Sequence, residues 1–197
     1  MIKKVAIQGI QGSFHDIVSK HYFLEAVETL PFLTFNEVVS SLVKHNSDAA
    51  IMALENSIAG SIISNYALID SNALHITGEY YLDVQHNLMA LSGLEINDIN
   101  EVHSHPMALL QCKAFFDQYP HIKFVEDSDT AEVARRIHNQ QLFGIAAIAS
   151  ETASEIYQLK IFEKSNQTIP QNEKRFVIVE RTQNATTNIN NTTLKYM

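Results

Sequence analysis

Basic charge is scarce in this sequence of 197 residues: 14 Lys and Arg stand against 22 Asp and Glu, a net charge of -8. That balance argues against a nucleic acid or an anionic membrane as main partner, so an anionic ligand would have to be held by local donors. Cysteine is nearly absent, and Cys112 alone cannot close an internal disulfide. No apolar run is long enough to span a bilayer. Lys3-Lys4 leads straight into a short strand without an apolar signal segment, which makes the cytoplasm the expected compartment. Metal patterns are missing as well: His103-x-His105 has no third ligand at recognisable spacing, so no metal site is expected. The two glycines of Gly9-Ile10-Gln11-Gly12 lack both the third glycine of a dinucleotide fingerprint and the Gly-Lys-Ser/Thr ending of a Walker loop.

What is present is an ordinary globular composition, 46% hydrophobic, in a chain long enough to bury roughly 70% of its unfolded surface. Short apolar runs alternate with helical periods, the signature of βαβ units and an α/β fold. Val5-Ala6-Ile7 opens the series and runs into the glycine turn, after which Ser13 can cap a helix carrying Phe14, Ile17, Val18 and Tyr22. A strand near Thr29 to Leu33, a helix through Phe35 to Val43 and the run Ala49 to Leu54 follow. That last run has the character of a strand covered on both faces, and it ends abruptly in Glu55-Asn56-Ser57. Ser57 can cap the next helix, with Ile58, Ile62, Tyr66 and Ile69 at helical spacing. Two readings stand there: a helix cap after a core strand, or a crevice whose backbone N–H groups face an anion.

From Leu74 to Leu91 the pattern turns extended, which suits a crossover. A second series then begins with Val102 to His105, and Pro106 opens a helix whose apolar face holds Cys112. There a free cysteine is expected to act as a small hydrophobe. Lys123-Phe124-Val125, an Asp129-capped helix starting at Thr130, the run Ile145 to Ala149 with Ser150 as cap, Lys160-Ile161-Phe162 and Arg175 to Val179 complete it. The expected architecture is a two-lobed α/β clamshell of mostly parallel sheets. Residues 1–73 plus 165–181 form one lobe, 74–164 the second lobe with the crossover, and 182–197 a linker. Helix starts at Ser13, Ser57, Pro106, Thr130 and Ser150 can then converge on one cleft. Each contributes about half a positive charge, which would suit a dianion.

Six pieces in order resemble the catalytic domain of the prephenate dehydratase family: Gly9-Ile10-Gln11-Gly12-Ser13-Phe14, Glu55-Asn56-Ser57 with Gly60-Ser61, Gly78-Glu79, Ser104-His105-Pro106 with Gln111-Cys112, Asp129-Thr130-Ala131, and Arg175-Phe176. The resemblance implies two lobes similar to type II periplasmic binding proteins. It implies conversion of prephenate, a small dianion, to phenylpyruvate by loss of water and carbon dioxide in phenylalanine biosynthesis, with no metal or organic cofactor. By the same resemblance Arg175 grips a carboxylate and Phe176 packs against the substrate ring. Ser13, Asn56, Ser57, Gly60, Ser104, His105, Thr130 and Ser150 line the binding wall, and Glu55 holds neighbouring donors. The expected partners are the small-molecule substrate and a second copy of the chain in a homodimer.

The sequence departs from the family at two places. The family signature is Thr-Arg-Phe, and its threonine hydroxyl is regarded as central to loss of the substrate hydroxyl; here the position is Lys174. Lysine can act there as an acid with a lowered pKa, bind charge, or obstruct. Three functions therefore stand: prephenate dehydratase, arogenate dehydratase, and a noncatalytic dianion-binding module on the same fold. The second departure is the C-terminus, where Leu194-Lys195-Tyr196 resembles the first strand of the family's ACT domain, cut off at once. Feedback regulation through that domain is expected to be absent.

Overall fold

The structure is a computed structural model and describes residues 2–24 and 27–182; the expected linker and strand remnant lie almost wholly outside these. The chain runs β1 (Lys3–Gln8), α1 (Phe14–Tyr22), β2 (Val27–Phe32), α2 (Phe35–Val43), β3 (Ala49–Asn56), β4 (Gly60–Ser61), α3 (Ile63–Ser71), β5 (His75–Asp83), β6 (Asn87–Ala90), a 3-10 turn (Ile96–Asp98), β7 (Glu101–Ser104), α4 (Pro106–Phe116), β8 (Lys123–Glu126), α5 (Thr130–Gln140), β9 (Ile145–Ala149), α6 (Glu151–Ile156), β10 (Lys160–Glu163) and β11 (Glu173–Glu180). No helix among the described residues is long and apolar enough to cross a membrane.

Two sheets share one plan. The first has the order β2-β1-β3-β11-β5 with β4 on β3, and the second, read from its other edge, β8-β7-β9-β6-β10. In each, three parallel strands are followed by two antiparallel additions. The cause lies in the path of the chain. β6 and β11 arrive from the opposite lobe, so they start at the cleft and run against their neighbours, while β5 and β10 lead out toward it. The expected mostly parallel sheets are thus mixed, with parallel pairing confined to the three-strand cores. The lobe boundary also moves. β5 pairs with β11 from Glu173↔Asp83 to Glu180↔His75, so the first lobe extends to Asp83 rather than 73.

The run Ala49 to Leu54 is fully buried, as its composition requires. Its alternate residues serve two cores: Ala49, Ile51 and Ala53 pack with Val18, Phe176 and Ile178, while Ala50, Met52 and Leu54 pack with Val38, Leu42, Ile69, Val177 and Val179. In the second lobe Cys112 is buried with Leu88, Val102 and Ile148, and burial pushes its thiol up to about 12, so it fills space.

One local expectation fails. Ser57 caps no helix, because Asn56 Oδ1 accepts the N–H groups of Ile58 (3.1 Å) and Ala59 (2.8 Å) and folds the chain into a β3–β4 hairpin, with Asn56 opposite Gly60. Gly60 has φ +80, which glycine adopts without strain. The helix then starts late, at Ile63, without a side-chain cap. Ser57 Oγ accepts instead from Glu173 N–H at 3.0 Å, tying the hairpin to β11.

Candidate active site

The shared plan turns the ends of β1, β3, β7 and β9 and the starts of β6 and β11 toward the space between the lobes. Alternation along β11 puts Lys174 and Phe176 on one face and Arg175 on the other. Phe176 is fully buried, with Lys174 Nζ 5.4 Å from its ring centroid and the His15 ring edge-on at 5.0 Å. Lys174 is partly accessible yet largely surrounded by protein, and no carboxylate pairs with it among the described residues. Burial lowers its pKa from 10.5 to about 8. Three imidazoles share its field: His15 on α1, His86 in the crossover and His105 at the start of α4. Burial first and the Lys174 charge second lower His15 well below its usual value and His105 by less. Burial takes His86 to about 4, with the Lys174 charge adding to the effect and the hydrogen bond to Gln111 Oε1 opposing it.

A chain of amides runs beside Lys174. Asn56 Nδ2 donates to Asn172 Oδ1 at 2.7 Å, Asn172 Nδ2 donates to Gln111 Oε1 at 3.0 Å, and His86 Nε2 lies 2.8 Å from the same oxygen. It joins the first lobe's hairpin to α4 of the second.

The other expected residues divide. Arg175 does not face Lys174. Its guanidinium donates to Glu79 Oε2 at 3.0 Å, Glu55 Oε1 at 3.3 Å and the Tyr66 hydroxyl at 3.4 Å, pinning β11 between β3 and β5. These bonds engage Nε and Nη1, so a grip on substrate would fall to Nη2, on the side of the strand away from Lys174, whereas the expected organising role of Glu55 matches what it touches. Phe176, expected against a substrate ring, is covered by Lys174 and His15 and supports them. Ser104 is buried and its hydroxyl donates to Ile148 O at 2.7 Å. Ser13 caps α1 by accepting from Asp16 N–H, and His105 Nδ1 accepts from Met107 N–H. Gly60 stays with the hairpin, in open space.

Helix starts do meet, but against one another. Ser150 Oγ donates to Gly12 O at 2.6 Å and Tyr157 to Gln11 O at 2.8 Å, so α6 closes on the glycine loop of the other lobe. A Cβ on Gly12 would lie 3.1 Å from Ala153 Cα, and one on Gly9 2.6 Å from Asp129 Oδ2. Glycine is needed at both for this approach. Ser150 is thereby spent on lobe contact. Thr130, buried beside Asp129, makes no side-chain hydrogen bond among the described residues. Sequence reasoning missed His15, His86 and Asn172 as members of the site. His15 was the most legible, two residues past the cap and on the buried face of α1.

A family profile described as prephenate dehydratase matches residues 5–184, nearly the whole chain. The chain belongs to the prephenate dehydratase family. An arogenate dehydratase/prephenate dehydratase of Arabidopsis thaliana is 35% identical over 178 residues, covering 90% of this chain and 46% of its own length. The chain spans about half the length of the curated relatives it matches. Among solved structures, the prephenate dehydratase of Arthrobacter aurescens in complex with L-Phe superposes with a TM-score of 0.81 at 23% identity, over 91% of this chain and 60% of that one. A quorum-quenching acylase, GqqA, gives 0.80 at 28% identity, over 91% and 64%. For this prephenate dehydratase family member, the glycine loop, the hairpin and the start of β11 all lie at the interlobe space. These three motifs are therefore spatial neighbours as well as ordered in sequence.

Proposed function

We propose that the chain converts prephenate to phenylpyruvate, water and carbon dioxide, a step toward L-phenylalanine in the cytoplasm. The observation that carries this reading is the largely enclosed Lys174 ammonium, which has no carboxylate partner among the described residues. A buried cation left unpaired is costly, and a dianionic ligand relieves that cost. Family membership over residues 5–184 supports prephenate as that dianion.

Lys174, protonated at neutral pH, gives a proton to the ring hydroxyl of prephenate as its C–O bond breaks, so that water leaves. The electrons of the ring–carboxylate bond move into the ring, carbon dioxide departs and the ring becomes aromatic. Per turnover the dianion takes up one proton and yields a monoanionic keto acid. Neutral His15, His86 and His105 add no second cation and supply ring nitrogens, and Thr130 offers a free hydroxyl to the substrate. Holding the reacting groups in place beside an acid is most of what such a reaction needs.

The acyl chemistry named for GqqA would call for an activated nucleophile. Here the Cys112 thiol is buried and held protonated, while the Ser104 and Ser150 hydroxyls donate to backbone carbonyls, so the site favours dehydration. The test is incubation of the purified chain with prephenate at pH 7, following phenylpyruvate against the spontaneous background, with arogenate in parallel. Formation only at background rate, with prephenate bound, overturns the enzyme reading in favour of a binding module.

A further inference from the structure

The amide chain has a direction, and that direction fixes a tautomer. Asn56 Oδ1 accepts two backbone N–H groups, so its Nδ2 must face Asn172 as donor. Asn172 then receives on Oδ1 and donates from Nδ2, leaving Gln111 to accept through Oε1. The ring nitrogen facing that oxygen, His86 Nε2, must carry the hydrogen. His86 Nδ1 is therefore a bare lone pair. It is buried and receives no hydrogen bond among the described residues.

An unmet acceptor and an unmet donor thus lie in one neighbourhood: Asn172 of the amide chain is two residues before Lys174, the Lys174 charge acts on His86, and the Lys174 ammonium rests over Phe176 without an acceptor among the described residues. The groups facing Lys174 are His15 from α1, His105 from α4 and His86 from the crossover. Arg175, Glu55 and Glu79 lie behind its strand. His15 also has an unmet Nε2, but no hydrogen bond fixes which of its nitrogens is bare.

We propose that His86 is a positioning residue: its Nδ1, held bare by Gln111, Asn172 and Asn56, accepts a hydrogen bond from the Lys174 ammonium when the flexible lysine stem swings off Phe176, and so aims the proton donor. The catalytic consequence rests on the dehydratase reading; the contact itself does not. Through this chain the hairpin of one lobe and α4 of the other set the donor's orientation together, so separating the lobes would release it.

The test reads Lys174 directly. Nitrogen-15 spectra of the whole chain should show His86 protonated on Nε2 and bare on Nδ1, and a titration of the Lys174 ammonium gives its ionisation constant. A hydrogen bond to the charged form favours it. His86→Phe, which keeps a ring against Phe14, should therefore lower the Lys174 pKa by about one unit, a tenfold change in the constant. His86→Asn, which returns an acceptor near the Nδ1 position, should restore most of it. Gln111→Met keeps the imidazole but frees its tautomer and should give an intermediate fall, which separates the contact from a change in burial. The alkaline limb of kcat/KM for prephenate should move by the same amounts. A Lys174 constant unmoved in His86→Phe, or a His86 ring carrying its hydrogen on Nδ1, overturns the proposal. A wild-type chain without turnover overturns the dehydratase reading while the titrations still decide the contact.

Discussion

Replacing Lys174 by methionine should make the protein more stable while removing its activity. A lysine whose pKa falls from 10.5 in the unfolded chain to about 8 in the folded one loses about 1.4 kcal/mol per unit. The charged ammonium therefore withholds about 3 kcal/mol of stability at neutral pH, and about 1–2 once solvent reaching the partly accessible side chain is allowed for. The sign follows from proton counting. Between pH 8 and 10.5 the unfolded chain holds a proton that the folded chain has released, so stability rises with pH across that window; below pH 8 both states hold it and the cost is constant. Methionine keeps an unbranched apolar stem over Phe176 and removes the charge. Lys174→Met should then unfold at higher urea than wild type at pH 7, and the gain should vanish by about pH 10.5. The chain has no tryptophan, so far-ultraviolet circular dichroism is the readout. A variant no more stable than wild type at pH 7, or a gain that persists unchanged at high pH, would refute the claim that the unpaired charge is the source of the cost.

Lys174→Arg keeps the charge but removes an acid that can release its proton. kcat should fall about 10²- to 10⁴-fold with KM little changed, and retention of kcat in steady-state assays would mean that Lys174 is an anchor only. Arg175→Met strips Glu55, Glu79 and Tyr66 of their shared partner at a half-exposed site and should cost about 1 kcal/mol in urea unfolding. Because Arg175 faces away from Lys174, KM for prephenate should change less than tenfold, and a larger rise would return Arg175 to a direct grip on the substrate. His86, lowered from 6.5 to about 4, refuses a proton that the unfolded chain accepts, so stability should fall as pH drops through that interval, by up to about 3 kcal/mol. Urea midpoints between pH 7 and pH 4 should decline less steeply in His86→Phe than in wild type, and equal slopes would contradict the neutral, buried assignment.

The fold was legible where one period dominated. The buried run Ala49 to Leu54, the helix starts at Ser13, Pro106 and Asp129, and the extended crossover after Leu74 each carry a single pattern. At Asn56-Ser57 two patterns compete, because both residues serve caps and turns equally well. There the left-handed Gly60 decides for a hairpin, a signal present in the sequence but outweighed by the helical spacing of Ile58, Ile62, Tyr66 and Ile69. β5 was assigned to the crossover because an edge strand with half its residues exposed lacks an apolar face to declare its sheet. The site was legible in its motifs and less so in its directions. Period two along Lys174-Arg175-Phe176 separates the arginine from its neighbours, but which face meets the cleft depends on the position of β11 between β3 and β5. The tautomer of His86 depends on Asn56 and Asn172, which are 116 residues apart, and no local window contains that information.

The same unpaired charge that costs stability orders the proposed reaction. A resting Lys174 near pKa 8 is only marginally held as an acid, and three neutral imidazoles bring no negative charge to hold it more firmly. A bound dianion changes that balance, since a carboxylate beside the ammonium favours its charged form and raises its pKa. The substrate thereby readies the acid that attacks it, and a proton lost above pH 8 is recovered on binding. Turnover then removes one negative charge as neutral carbon dioxide and leaves a monoanion with less hold on the cleft. Binding strength falls at the step where release is needed. A threonine at this position would donate a hydrogen bond without this coupling of charge, so this arrangement should show proton uptake on substrate binding at pH 8 to 9, and Lys174→Thr should not. Calorimetric binding of a nonreactive dicarboxylate in buffers of different ionisation enthalpy measures that uptake, and equal proton counts in the two proteins would break the link between charge and release.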